Sequence, residues 1–132
     1  MFVNNEKLRK KVRRTAAEIL AAEIVISPVD LLMRMGMLSK KDYEDWRMGK
    51  IPYLERVCRA NLSKLGTAMK ELKKFARENN LKPSITVYTK WGKGKKTLLR
   101  FSKSNNPAIE KAYSTHYVNR KLCVDVNFSA NT

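Results

Sequence analysis

Apolar positions recur near the start of the chain at helical spacing. Leu8, Val12, Thr15, Ile19, Ala22 and Ile26 are separated by four, three, four, three and four residues, which predicts an amphipathic helix over 5–26. Ser27-Pro28-Val29-Asp30 then reads as a new helix start, with a capping serine, a proline at the first helical position and an acid in the first turn. That helix runs through Leu31, Leu32 and Met35 and ends at Gly36. Ser39-Lys-Lys-Asp42 opens another short helix in the same way, with Tyr43, Trp46 and Met48 as its apolar face and Gly49 as its stop. From Pro52 a longer pattern begins. Leu54, Cys58, Leu62, Leu65, Met69, Leu72 and Ala76 form one stripe and Arg56, Arg59, Ser63, Thr67, Lys70, Lys74 and Arg77 another, predicting one helix over 52–79 that stops at Asn79-Asn80.

The period then changes from helical to alternating. Ile85–Trp91 and Thr97–Phe101 are two strand-forming runs around Gly92-Lys-Gly-Lys-Lys96, and together they predict a β-hairpin over 84–102. Asn106-Pro107 starts a further helix, to about Ser114, and Leu122, Val124, Val126 and Phe128 alternate as a third strand within 118–128. The expected class is therefore α+β: a mainly helical single domain over 1–132, with a small antiparallel sheet built on the hairpin. A length of 132 residues and an apolar fraction of 43% suit one domain with its own core.

Charge changes the picture from fold to partner. The chain holds 28 basic and 12 acidic residues, a formal charge of +16. Residues 1–14 carry six basic residues and one acid, a candidate basic helical arm. Between Glu78 and Glu110 there is no acid, but there are seven cations: Lys82, Lys90, Lys93, Lys95, Lys96, Arg100 and Lys103. A hairpin tip made of glycine and lysine repels itself, and an anionic partner relieves that repulsion. A phosphate backbone is the commonest such partner. The expected function is thus non-catalytic nucleic-acid binding, DNA or RNA, with Lys90, Lys93, Lys95, Lys96, Arg100 and Lys103 on phosphates and Lys70, Lys74 and Arg77 extending the track. Tyr88, alternating with Thr86 and Lys90, either stacks a base or packs inward. Trp91, on the opposite face, is expected to pack on the long helix. Ser102, Ser104, Asn105 and Asn106 lead into a helix N-terminus and form a candidate anion site. The alternative there is an ordinary asparagine cap.

Other functions find thinner support. The helix–Gly–helix outline at 28–48 resembles a helix-turn-helix, but Asp42, Glu44 and Asp45 on its second helix oppose phosphate. His116 is the single histidine; with Glu110 and Lys103 it gives only a weak general acid–base set for phosphodiester cleavage. Cys58 and Cys123 belong to no metal-ligand spacing, so no metal or cofactor is expected. An acidic protein partner for the basic face, or a helix pairing with 54–76, is the remaining alternative. With no apolar run near the roughly 18 residues of a membrane span and no signal-type segment, a cytoplasmic chain without a membrane partner is expected.

The blocks Ser27-Pro-Val-Asp-Leu-Leu32, Trp46-Arg-Met-Gly-Lys-Ile-Pro-Tyr-Leu-Glu-Arg56, Asn61-Leu-Ser-Lys-Leu65, Leu81-Lys-Pro-Ser84, Trp91-Gly-Lys-Gly94, Leu99-Arg-Phe-Ser-Lys-Ser104 and Thr115-His-Tyr-Val118 resemble those of a family of small bacterial proteins without an assigned function. The resemblance covers roughly 24–118 and implies no activity, ligand or site residue.

Overall fold

The local helix signals act as their chemistry requires. The computed structural model describes residues 2–120, so Cys123 and all but the first three residues of the strand expected within 118–128 lie outside the described residues. Helix α1 spans Phe2–Ala22, and Val25–Ile26 follow as a short strand, β1. Ser27 Oγ accepts the Asp30 N–H at 3.2 Å to start α2 (Pro28–Arg34), and Ser39 Oγ accepts the Asp42 N–H at 3.0 Å to start α3 (Lys40–Arg47). Gly36 and Gly49 follow these helices with φ of +78° and +79°, the left-handed conformation in which a Cβ is strained. Asn106 caps α5 (Pro107–Ser114) by accepting the Ala108 N–H at 2.9 Å.

The helix expected over 52–79 is not continuous. Leu54–Val57 form a single 3₁₀ turn, and α4 occupies Leu62–Glu78 behind an Asn61 cap. The cause is tertiary. The Leu54 and Glu55 N–H groups donate to the carbonyls of Arg100 (3.1 Å) and Phe101 (2.9 Å), and the Arg59 N–H donates to Met37 (2.7 Å). Leu54 is therefore buried off the α4 stripe, while Leu62, nominally on that stripe, is 67% exposed. From Leu65 onward the pattern holds: Leu65, Met69, Leu72 and Ala76 are buried, together with Ala68 and Phe75.

Helix α1 packs along α4, with Val12, Ala16 and Ile19 buried. The basic arm is partly neutralised, across this contact and within α1 itself. Arg13 pairs with the buried Glu71 (2.7 Å) and with Glu78, Arg9 lies 3.9 Å from Glu71, and Lys10 pairs with Glu6 (3.6 Å). Ile26 keeps the core role predicted for it, but from a strand.

The domain is a mainly helical α+β fold with a three-stranded antiparallel sheet of order β1-β3-β2. The sheet is not centred on the 84–102 hairpin. Its middle strand is β3 (Thr115–Val118), which pairs with β1 through Val25↔Val118 and with β2 (Lys82–Ile85) through Lys82↔Val118 and Ile85↔Thr115. Pro83 is tolerated because β2 is an edge strand, where a missing N–H costs no ladder bond. The two hairpin limbs pair only briefly, at Thr89↔Leu98, flanked by Lys90 N–H to Thr97 carbonyl (2.8 Å) and Leu99 N–H to Tyr88 carbonyl (2.9 Å). Ile85 is already committed to β3, and the carbonyls of Arg100 and Phe101 to the 54–55 turn, so few residues remain to extend the ribbon.

An aromatic cluster ties these parts together. Trp46 of α3 contacts Phe101 and Tyr88 at centroid distances of 5.1 and 5.5 Å, and Phe101 stacks on Tyr113 of α5 at 5.4 Å. The Trp46 indole N–H donates to the Arg100 carbonyl at 2.8 Å. Among the described residues, no helix is long and apolar enough to cross a membrane.

Candidate nucleic-acid interface

The cationic tip rises from the end of α3. The Trp91 N–H donates to the Arg47 carbonyl (2.7 Å), and the Lys90 methylenes lie about 3.0 Å from where a Cβ on Gly49 would sit. Lys93, Lys95 and Lys96 beyond them are exposed. The Arg47 guanidinium lies over the rings of Tyr88 (5.0 Å) and Trp91 (4.8 Å). Its buried Nε has no hydrogen-bond partner among the described residues, so the ring faces are its nearest compensation. None of the basic residues from Lys82 to Lys111 forms an ion pair with another described residue; the ion pairs among the described residues lie in α1, α2, α3, α4 and the turn at Glu23.

The alternation along 85–91 is present, but its faces are inverted relative to ordinary hydropathy. Tyr88 is 7% exposed, whereas Ile85, Val87 and Leu98 point outward. Tyr88 is therefore corrected from a base-stacking candidate to a core residue. Its hydroxyl meets His116 Nε2 at 2.8 Å and Ser27 Oγ at 3.3 Å, and burial pushes the phenol up from its ordinary pKa. Trp91, expected on the long helix, instead packs on Arg47 and edge-on to Tyr43 (5.8 Å), and remains 39% exposed beside the tip. Hydropathy could not reveal this, because Arg47 lies 44 residues before its aromatic partner.

Where the sequence suggested an anion site, the protein's own carboxylate takes up the donors of Phe101 and Ser102. Glu110 accepts the Phe101 N–H (3.0 Å), the Ser102 N–H (2.8 Å) and the Ser102 hydroxyl (2.5 Å). Ser102 is 1% exposed and also accepts the Asn105 N–H, while Ser104 accepts the Asn106 N–H and Asn106 caps α5. Ser102, Ser104, Asn105 and Asn106 thus hold a loop rather than an external anion, with Asn105 itself at a φ of +56°. Arg100 donates to the carbonyls of Ser102 (3.2 Å) and Lys103 (2.6 Å), so its fork is partly spent on the same loop.

Replacing Glu110 with alanine leaves these donors unpaired. A loss of about 2–4 kcal/mol is expected for three charge-assisted bonds in a partly wet site. Denaturant unfolding measures it. Sulfate should restore more stability to Glu110→Ala than it adds to the wild type, and equal effects would mean the vacated donors do not form an anion site.

His116, Glu110 and Lys103, the weak acid–base candidates, each have separate surroundings. Glu110 is committed to residues 101–102, His116 to Tyr88, and Lys103 stands exposed on the rim of a groove between α4 and α5. Burial lowers the His116 pKa below its ordinary value of 6.5. The unfolded chain then binds a proton more readily than the folded one, so stability is full above the ordinary value and falls as pH drops toward the folded pKa. His116→Gln, which keeps a hydrogen-bonding group near Tyr88, should remove that part of the acid sensitivity. Equal pH profiles for the two proteins would exclude it.

Cys58 is partly buried, and burial first, then Glu55 and Asp42, pushes its thiol up to about 12, so it is not poised as a nucleophile. No cluster of three or more His, Cys, Asp or Glu that could hold a metal ion occurs among the described residues. Of the α4 cations, Lys70 meets Lys103 at the groove, joined by Lys73, which the stripe pattern had not singled out. Arg77 lies near enough to Tyr117 of β3 to act on its hydroxyl. Comparison with protein-family models, with curated proteins and with solved structures returns no match. The functional reading rests on geometry and charge.

Proposed function

We propose that this chain binds nucleic acid without catalysis, chiefly through phosphate contacts from Lys90, Lys93, Lys95 and Lys96, with support from Arg100 and the cations of α4. The observation that carries the proposal is the segregation of charge. Glu6, Glu23, Asp30, Glu71 and Glu78 are paired with cations of α1 and α2, while the tip lysines are exposed and have no ion-pair partner among the described residues. Such a surface stores like-charge repulsion that a polyanion relieves by releasing its own counterions. Trp91 adds a half-exposed ring at the root of the tip, which favours unpaired bases over a closed duplex. A cytoplasmic location belongs to the same proposal.

Tryptophan fluorescence tests this directly. Of the two tryptophans, Trp46 is fully buried, so quenching by an added oligonucleotide reports on Trp91. Titrating single- and double-stranded DNA and RNA across a salt series should give quenching, tighter single-strand binding and a log–log salt slope of about −0.7 per phosphate contact. Affinity no better than about 10⁻⁴ M for every oligonucleotide, with unchanged fluorescence, would sink the proposal.

A further inference from the structure

A groove of about 770 Å³ runs between α4 and α5. Leu62, Gly66 and Met69 form one wall and Ala108, Ile109 and Ala112 the other. Lys70, Lys73 and Lys103 stand along its rim, and none of them pairs with a described carboxylate. The one acid of the lining, Glu55, accepts the Tyr113 hydroxyl at 2.8 Å, and both groups are pushed up by burial. The outward side of the groove is thus aliphatic and cationic.

The shape and charge of the groove narrow the occupant. The trough is open, with Leu62 and Ile109 exposed, whereas a small ligand is held in a site that encloses most of it. From Leu62 to Lys73 it follows α4 for three turns, about 16 Å, a length suited to a helix lying in a groove. Its walls offer no exposed aromatic ring on which a base could stack. A second copy would bring another chain of formal charge +16 to a face already bearing three lysines. Gly66 adds a detail: a Cβ there would meet nothing within 4 Å, so the protein's own packing does not require the missing side chain, while its absence deepens the trough.

We propose that the α4–α5 groove receives an amphipathic helix of a partner protein. Apolar residues at i, i+4 and i+7 would enter between Leu62 and Ile109, and acidic residues on the helix flanks would meet Lys70, Lys73 and Lys103. This site is separate from the tip, although the sequence also assigned Lys70 and Lys103 to phosphate contacts.

The test is selection from a displayed library of helical peptides about four turns long, using the intact chain as bait. Enriched peptides should carry Leu, Ile or Met at the stated spacing, with Asp or Glu beside them. Gly66→Ala should bind such a peptide as the wild type does, which also verifies the fold. Gly66→Leu fills the trough without changing charge and should weaken the peptide about tenfold or more. Lys70→Glu with Lys73→Glu should do likewise, and a peptide with lysine in place of its acids should recover binding to that variant. No enrichment, enrichment of peptides without flanking acids, or peptide binding indifferent to Gly66→Leu would each overturn the proposal. Oligonucleotide binding should survive Gly66→Leu. If it weakens while peptides fail to bind, the groove belongs to the nucleic-acid surface and the helix proposal falls.

Discussion

Replacing Lys93, Lys95 and Lys96 together with alanine is expected to cut nucleic-acid affinity roughly a hundredfold near physiological salt, and to flatten the salt slope by roughly 2–3 units. The magnitude follows from counterion release, at about 0.7–0.9 of an ion per phosphate contact for three contacts. The loss should be nearly the same for every base sequence, since a lysine on a phosphate positions the strand and reads no base edge. Stability should not fall. All three side chains are exposed and form no ion pair with a described residue, so their removal only relieves repulsion. A Trp91→Ala protein should behave differently, keeping most of the salt slope while losing single-strand preference and the fluorescence response. An unchanged slope in the triple variant would take the tip out of the interface, whatever the wild-type affinity.

Trp46→Ala is expected to be the most damaging single substitution, costing about 3–5 kcal/mol. For a domain whose net stability is of order 5–15 kcal/mol, that is a large fraction. Trp46 is 0% exposed and touches Tyr43, Tyr88 and Phe101, so its removal opens a cavity among rings too large to collapse into it. It also deletes the indole bond to the Arg100 carbonyl, although that carbonyl retains the Leu54 N–H. Trp46→Phe keeps much of the ring and loses the bond, so a cost of about 1–2 kcal/mol should separate the two contributions. Chemical denaturation measures both, and hydrogen exchange locates them. The amides of Lys90 and Leu99, which pair the two limbs beneath the tip, should lose protection first because Tyr88 and Phe101 rest on Trp46. A loss below about 1 kcal/mol for Trp46→Ala would mean that the aromatic cluster does not hold the hairpin root.

The same cluster explains why candidate-site residues divided as they did. The charge run 82–103 and the exposure of its tip were legible, because glycines and charged side chains alone over 92–96 offer no side chain that folding would bury whole. The role of Tyr88 was not. A period of two says that Tyr88 and Val87 face opposite ways, but which face turns inward depends on what waits there. Here Trp46, Phe101, His116 and Ser27 wait on the tyrosine side, offering ring contacts and two hydrogen-bonding groups that a valine cannot use. Glu110 hid in a similar way. The run Ser102–Asn106 suggested an anion site, but the donors of Phe101 and Ser102 are taken by the carboxylate in the first turn of the next helix.

By itself the sequence determined the helix starts at Ser27, Ser39 and Asn106, the stops at Gly36, Gly49 and Asn79-Asn80, the helical class and the concentration of positive charge. Each of those depends on hydrogen bonds or sterics within about four residues, or on charge, which needs no fold to be counted. Only the tertiary structure decided that residues 52–61 leave the long helix, that β3 rather than the hairpin centres the sheet, that Arg47 clamps Trp91, and that α4 and α5 leave a lysine-rimmed groove. In each case the deciding partner lies tens of residues away, and local periodicity carries no record of a contact that exists only once the chain has closed on itself.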